Sequence, residues 1–200
     1  MDDFKMIARK ICVAVLVSAL PSLAGVEAAG AAPNVWKSHG PGGGTINALA
    51  IDPKTSTTLY TGTRGGVFME HGSIGCEIWA LAIDPQTPTT LYAASATVCK
   101  PGGPGVYKST DGDATWSAVN AGLTTPIVGA LAIDPRAPTT VYAGTSYGGV
   151  FKSTDGGGSW STFNDGLTNL FVTALVIDPK TPVNLWAGTA GGGVFVMELE

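Results

Sequence analysis

One hexapeptide recurs through this chain and dictates its architecture. Ala-Leu-Ala-Ile-Asp-Pro stands at Ala48–Pro53, Ala80–Pro85 and Ala130–Pro135, and returns as Ala-Leu-Val-Ile-Asp-Pro at Ala174–Pro179. A Thr/Pro-rich turn follows each copy, then an aromatic strand such as Leu91-Tyr92-Ala93 or Val141-Tyr142-Ala143-Gly144-Thr145. A Gly-Val-aromatic segment comes next, at Val67-Phe68, Val106-Tyr107, Val150-Phe151 and Val194-Phe195. Side chains alternate along a strand, so Leu131 and Ile133 point one way while Ala130 and Ala132 point the other. Both faces are apolar, one bulky and one small. Such a strand is buried on both sides, and stacked sheets can seat Leu/Ile of one against Ala of the next. A period of roughly 40–50 residues built from short strands predicts an array of small sheets.

The Asp-Pro pair ends the first strand of each unit. Proline cannot donate to a ladder, and aspartate can accept from backbone N–H groups in a turn. Asp52, Asp84, Asp134 and Asp178 recur with near-identical neighbours, so turn capping accounts for them without catalysis. Two units carry a further signature. Ser109-Thr110-Asp111-Gly112-Asp113-Ala114-Thr115-Trp116 matches Ser153-Thr154-Asp155-Gly156-Gly157-Gly158-Ser159-Trp160. The pattern is Ser-x-Asp-x-Gly-x-Thr-Trp, with Ala114 in place of the usual glycine in the first copy.

On these residues the chain resembles the Asp-box (BNR-type) β-propellers, which include sialidases, sortilin-like receptors, xyloglucan-specific glucanases and photosystem II assembly factors. The resemblance covers nearly all of residues 32–200. It implies an all-β propeller, and counting the repeat units gives about four blades, each a four-stranded antiparallel sheet with strands A to D from the inside out; relatives of this type usually have more blades. Asp111 and Asp155 then stabilise C–D turns. The resemblance says little about activity, because these relatives share a fold and differ in chemistry.

The ends of the pattern are irregular. Between Phe68 and Ile78 there is neither an Asp-box nor a tryptophan strand, so the first blade is incomplete. Trp36-Lys37-Ser38-His39-Gly40 precedes the first strand A, as Trp116 and Trp160 precede the third and fourth. The last unit stops after its strand C, at Val194–Met197. An amino-terminal strand could therefore complete the final blade and close the ring, which removes exposed sheet edges. A compact four-bladed ring, a partial ring that pairs with another copy and a truncated product all fit this pattern.

The first residues are a different material. Lys5, Arg9 and Lys10 precede an apolar run, Ile11 to Leu20, then Pro21 and the small residues Ala29-Gly30-Ala31. Residues 1–31 read as a secretory signal cleaved near Ala31. The run is too short to span a bilayer comfortably, and no later segment could span one. Residues 32–200 are thus expected to be secreted or periplasmic. Cys12 leaves with the signal. Cys76 and Cys99 flank a predicted hairpin at its outer ends and are candidates for a disulfide in an exported protein, with two free thiols as the alternative. The formal net charge is −4, and beyond the first residues Lys and Arg are scattered singly. No basic stripe is present, which argues against a nucleic-acid partner.

In a propeller the A–B and C–D turns lie on one face, the B–C loops and D–A connections on the other. The variable segments all fall on the second face, where loops on a rigid scaffold commonly carry function. Arg64, Lys100 and Tyr147 are the candidate binding residues there. Neither His39 nor His71 has a companion at metal-ligand spacing, and no cofactor or metal is expected. Three readings compete. The first is a non-catalytic binding or assembly module for a protein or glycan. The second is a glycoside hydrolase. The sialidase version needs three arginines, and residues 32–200 hold only Arg64 and Arg136. A glucanase needs two carboxyl groups flanking the bond, and only Glu70 and Glu77 lie near the variable face. The third is a piece of a larger ring, which self-associates if its own ring is incomplete.

Overall fold

The computed structural model describes residues 45–68, 76–97, 103–178 and 183–199. Among them are fourteen strands and no helix, in four antiparallel sheets. Blade I is β1 (Ile46–Ile51), β2 (Leu59–Thr63) and β3 (Gly66–Phe68). Blade II is β4 (Ile78–Ile83), β5 (Leu91–Ser95), β6 (Gly105–Ser109) and β7 (Ser117–Ala118). Blade III repeats it with β8 (Val128–Ile133), β9 (Val141–Thr145), β10 (Gly149–Ser153) and β11 (Ser161–Thr162). Blade IV is β12 (Val172–Asp178), β13 (Val183–Thr189) and β14 (Gly193–Leu199). The expected four strands per blade hold for II and III, while I and IV show three each among the described residues.

Large-against-small packing builds the junctions. Leu131 and Ile133 of blade III are buried with Ala80, Tyr92 and Val106 of blade II. Leu81 and Ile83 sit likewise on Ala48 and Tyr60 of blade I, and Leu175 and Leu185 on Ala130 and Tyr142 of blade III. Burying a leucine this way is worth roughly 1.5–3 kcal/mol relative to leaving it exposed, so each junction is held mainly by its apolar seam.

One backbone device repeats that strict alternation does not foresee. The ladder between the first two strands of every blade shifts register between Ile46 and Ala48, Ile78 and Ala80, Val128 and Ala130, and Val172 and Ala174. Such a bulge adds one residue to the strand and re-aims the side chains before it. Ile78 therefore joins Leu81 and Ile83 in the bulky set, although it lies an odd number of residues from each. At the facing position stand Gly62 and Gly144, where an added Cβ would lie 2.8 Å from Ile78 and 2.6 Å from Val172.

The inner strands β1, β4, β8 and β12 neighbour one another in chain order, and no comparable contact joins β12 back to β1. The blades form an open arc. Its two ends expose apolar sheet faces, with Leu49, Ile51 and Leu59 on blade I and Val176, Trp186, Val194 and Val196 on blade IV.

Candidate functional site

The turn aspartates all sit on one side of the arc. Asp52, Asp84 and Asp134 each follow the first strand of their blade. The Oδ1 of Asp84 accepts from the N–H of Gln86 and Thr87 at 2.8 and 3.1 Å. Asp52 does the same for Lys54 and Thr55, and Asp134 accepts from Arg136. Asp178 stands at the equivalent place, the last residue of β12, paired across the ladder with Asn184, and the turn that follows it lies outside the described residues.

The two Ser-x-Asp turns are near copies. In the second, Asp155 accepts from the Ser153 and Ser159 hydroxyls at 2.7 Å each and from the Ser159 N–H at 2.9 Å. Asp111 does the same with Ser109 and Thr115. These bonds favour the ionised form. The hydroxyl of Thr115 first, then its N–H, holds Asp111 down to about 2. Asp155 is held at about 2 chiefly by the Ser159 and Ser153 hydroxyls. Both carboxylates are committed to their own loops.

The opposite side carries the variable loops. Tyr147 has a left-handed backbone (φ 111°) in the turn between β9 and β10. Its N–H donates to the Leu170 carbonyl at 3.1 Å, and the Gly149 N–H donates to the same oxygen at 2.9 Å. Its ring stacks on Phe171 with centroids 5.3 Å apart and planes 11° from parallel. Tyr147 is still 59 % exposed, and Leu170 beside it is also exposed. Asn169 fixes the connection from below, donating to the Ala190 carbonyl and accepting from the Phe171 N–H. The result is an aromatic shelf on rigid supports.

Arg64 occupies the corresponding turn of blade I. Its Nε lies 3.4 Å from Glu77, which stands just before β4 as Phe171 stands just before β12. An ion pair in one junction and a ring stack in another thus bridge neighbouring blades from the same place. Among the described residues no hydrogen bond, ion pair or ring contact joins Arg64 to Tyr147, and Lys100 lies outside the described residues. So do Cys99, Glu70 and the expected signal. Cys76 is buried just before β4. Sequence reasoning missed Phe171 and Leu170 as partners of Tyr147.

A cavity of about 510 Å³ opens on the turn side between blades III and IV. Arg136, Tyr142, Lys152, Phe163 and Glu198 line it. At the junction before it, the Gly156 carbonyl fills the same place, accepting from the Tyr92 hydroxyl at 3.2 Å and from Lys108 Nζ at 3.1 Å. Among the described residues no group of three or more His, Cys, Asp or Glu side chains is arranged to hold a metal ion. No helix among them is long and apolar enough to cross a membrane.

Against proteins of known structure the chain resembles the GH74 xyloglucanase from Xanthomonas campestris, at 20 % identity and TM-score 0.63 over 78 % of this chain and 29 % of that one. It resembles a GH74 enzyme of Niastella koreensis to a similar degree, at 23 % identity, TM-score 0.62 and 78 % and 28 % coverage. The computationally designed Ika4 protein matches at 18 % identity and TM-score 0.54, over 82 % of this chain and 96 % of the design. The fold is that of β-propeller blades. This chain spans less than a third of the two GH74 enzymes, and at these identities the likeness concerns the fold alone. No protein-family profile and no curated protein sequence matches the chain.

Proposed function

We propose that this chain is an exported, non-catalytic Asp-box propeller module that binds a glycan through the face bearing its B–C loops and D–A connections. The observation that carries the proposal is the Tyr147–Phe171 shelf. A flat aromatic ring, held by backbone bonds and open on one side, suits the apolar face of a sugar ring, and among the described residues only Trp186 is a further large exposed aromatic. Binding sites characteristically combine such apolar area with a few placed polar groups. The likeness to propellers of xyloglucanases makes xyloglucan the first polysaccharide to offer. Against hydrolysis stand the commitments of the carboxylates. Asp111 and Asp155 hold their turns, and Glu77 is paired with Arg64. Export rests on the amino-terminal signal pattern, with cleavage near Ala31 and a Cys76–Cys99 bridge in the product.

A depletion assay tests this. The purified chain is mixed with insoluble and soluble polysaccharides, and bound protein and released reducing ends are read from the same tubes. Retention without sugar release is expected. Tyr147→Ala should weaken retention at least tenfold and leave the circular dichroism spectrum unchanged. Release of reducing ends would replace this reading with that of a hydrolase. No retention on any polysaccharide would leave a protein ligand in its place. Thiol titration of the denatured, unreduced mature chain should find no free cysteine.

A further inference from the structure

At the junction of blades II and III one side chain locks the outer layer. Trp160 precedes β11 and is buried against the connection that leaves blade II. Its indole Nε1–H donates to the Val119 carbonyl at 2.7 Å, and its N–H donates to the Ala121 carbonyl at 2.9 Å. Its own carbonyl lies 2.3 Å from where a Cβ on Gly122 would stand, so that position must be glycine. One unit later the same seat is built again. Phe163, Gly166 and Leu167 repeat Val119, Gly122 and Leu123, and with Val150 and Phe195 they line a cavity of about 100 Å³. Gly166 keeps the left-handed conformation of Gly122 (φ 77° against 83°), yet nothing lies within 4 Å of its Cβ position. No tryptophan among the described residues reaches it.

The exposed end faces of the arc are the two halves of the repeated seam. Leu49, Ile51 and Leu59 are in register with the buried Leu81, Ile83 and Leu91. Val176, Trp186 and Val194 are in register with Ala132, Tyr142 and Val150, which receive blade IV. Gly188 repeats Gly62 and Gly144, but its nearest neighbours belong to its own blade. Ile46, exposed at the other end, is the counterpart of Ile78 and Val172, which fill those two notches.

We propose that blade IV is the docking surface for a second copy of this chain, which lays its blade I on the exposed face and seats Trp36 in the empty cavity. Trp36 lies outside the described residues. It is the remaining tryptophan in the right context, with Trp36-Lys37-Ser38 matching Trp116-Ser117-Ala118 and Trp160-Ser161-Thr162. It precedes β1 by ten residues, as Trp116 and Trp160 precede β8 and β12 by twelve. One neighbour therefore fills seat and face together. That neighbour is a second copy because β1 and β12 of one chain stand at opposite ends of the arc. The contact is head-to-tail, and such contacts close into rings when the rotation permits. This surface lies apart from the Tyr147 shelf, and the inference does not depend on the glycan reading.

Native mass by light scattering, across a dilution series of the purified mature chain, tests it. A mass of two copies that falls to one on dilution is expected. Trp36→Ala, Leu49→Lys and Val194→Lys should each yield single copies with unchanged circular dichroism. Leu49→Lys mixed with Val194→Lys should recover a two-copy species, because one intact junction remains. Leu49→Lys mixed with Trp36→Ala should not, because both lack the same half. A wild-type chain that stays single at every concentration overturns the proposal, whether its ring closes on itself or stays open. So does an assembly that survives both Leu49→Lys and Val194→Lys.

Discussion

At the residue scale, the acids divide by what their neighbours supply. Asp52, Asp84 and Asp134 are legible as turn caps because each repeats with the same flanking residues, and a carboxylate two residues before an unpaired N–H has an obvious use. Asp113 is not legible. In sequence it is a spare acid beside Asp111. In the fold it is buried with a left-handed backbone (φ 86°), and its carboxylate accepts from the Trp116 indole at 2.6 Å. Blade III has Gly157 at that position, so the unit tolerates two solutions and the sequence pattern averages them away. The turn acids also set a pH dependence. Asp111 and Asp155 titrate near 2 in the folded chain against an ordinary 3.8. A group with a depressed folded pKa contributes stability that is complete above its unfolded pKa and is lost as pH falls through the folded one. Their share is thus present above about pH 4 and disappears between 3.8 and about 2. Both carboxylates face solvent, so the effect is modest. Melting temperature measured from pH 5 to pH 2 should fall less steeply for the Asp111→Asn/Asp155→Asn double variant than for the wild type. Equal slopes would mean that the loop hydrogen bonds do not distinguish folded from unfolded chain.

At the scale of the element, alternation read from Ala-Leu-Ala-Ile assigns the two faces of each inner strand correctly, since period two follows from the pleat itself. It fails one turn earlier. Strict alternation places Ile78 with Ala80 and Ala82, and the bulge moves it to the bulky side. No residue type announces that bulge, because Asn47, Trp79, Gly129 and Thr173 stand at its four occurrences. What betrays it is a small residue opposite, glycine at Gly62, Gly144 and Gly188 and alanine at Ala94. Gly144 and Gly188 occupy equivalent positions in β9 and β13, yet only the first faces a neighbouring blade. Gly144→Ala drives a methyl to 2.6 Å from Val172 Cγ1, and overpacking of this kind costs about 1–3 kcal/mol. Gly188→Ala meets only its own blade, Ala174 at 3.4 Å and Thr173 Oγ1 at 4.0 Å, and should change the stability of the single chain by less than about 0.5 kcal/mol. Urea unfolding of the two variants checks the contrast. Adding Val172→Ala to Gly144→Ala should recover part of the loss, as expected for residues in contact. Equal costs at the two glycines would contradict the packing described.

At the scale of the whole molecule, the repeat yields four sheets in order and the incomplete first blade, because both depend on local composition. Closure depends on how far each sheet rotates against the last, a geometric sum that no single residue encodes, and the blades prove to be an open arc. Openness makes residues of one repeat position unequal. Leu49 and Leu81 share strand, register and neighbours in sequence, but Leu81 is 3 % exposed and Leu49 55 %. A lysine at position 81 would put a charge into the seam between blades I and II, with no partner for it among the side chains of that cluster. An unpaired buried charge is among the few single changes that cost more than about 4 kcal/mol. Leu81→Lys should therefore abolish the cooperative unfolding transition or move it far below that of the wild type. A lysine at position 49 keeps its ammonium in water, and in dilute solution the melting temperature should stay within a few degrees of the wild-type value. The two variants then separate folding from association. Leu81→Lys loses both, whereas Leu49→Lys keeps the fold and loses only what the exposed face does. If Leu49→Lys destabilises the dilute single chain as severely as Leu81→Lys, then Leu49 is buried within one molecule and the arc closes on itself.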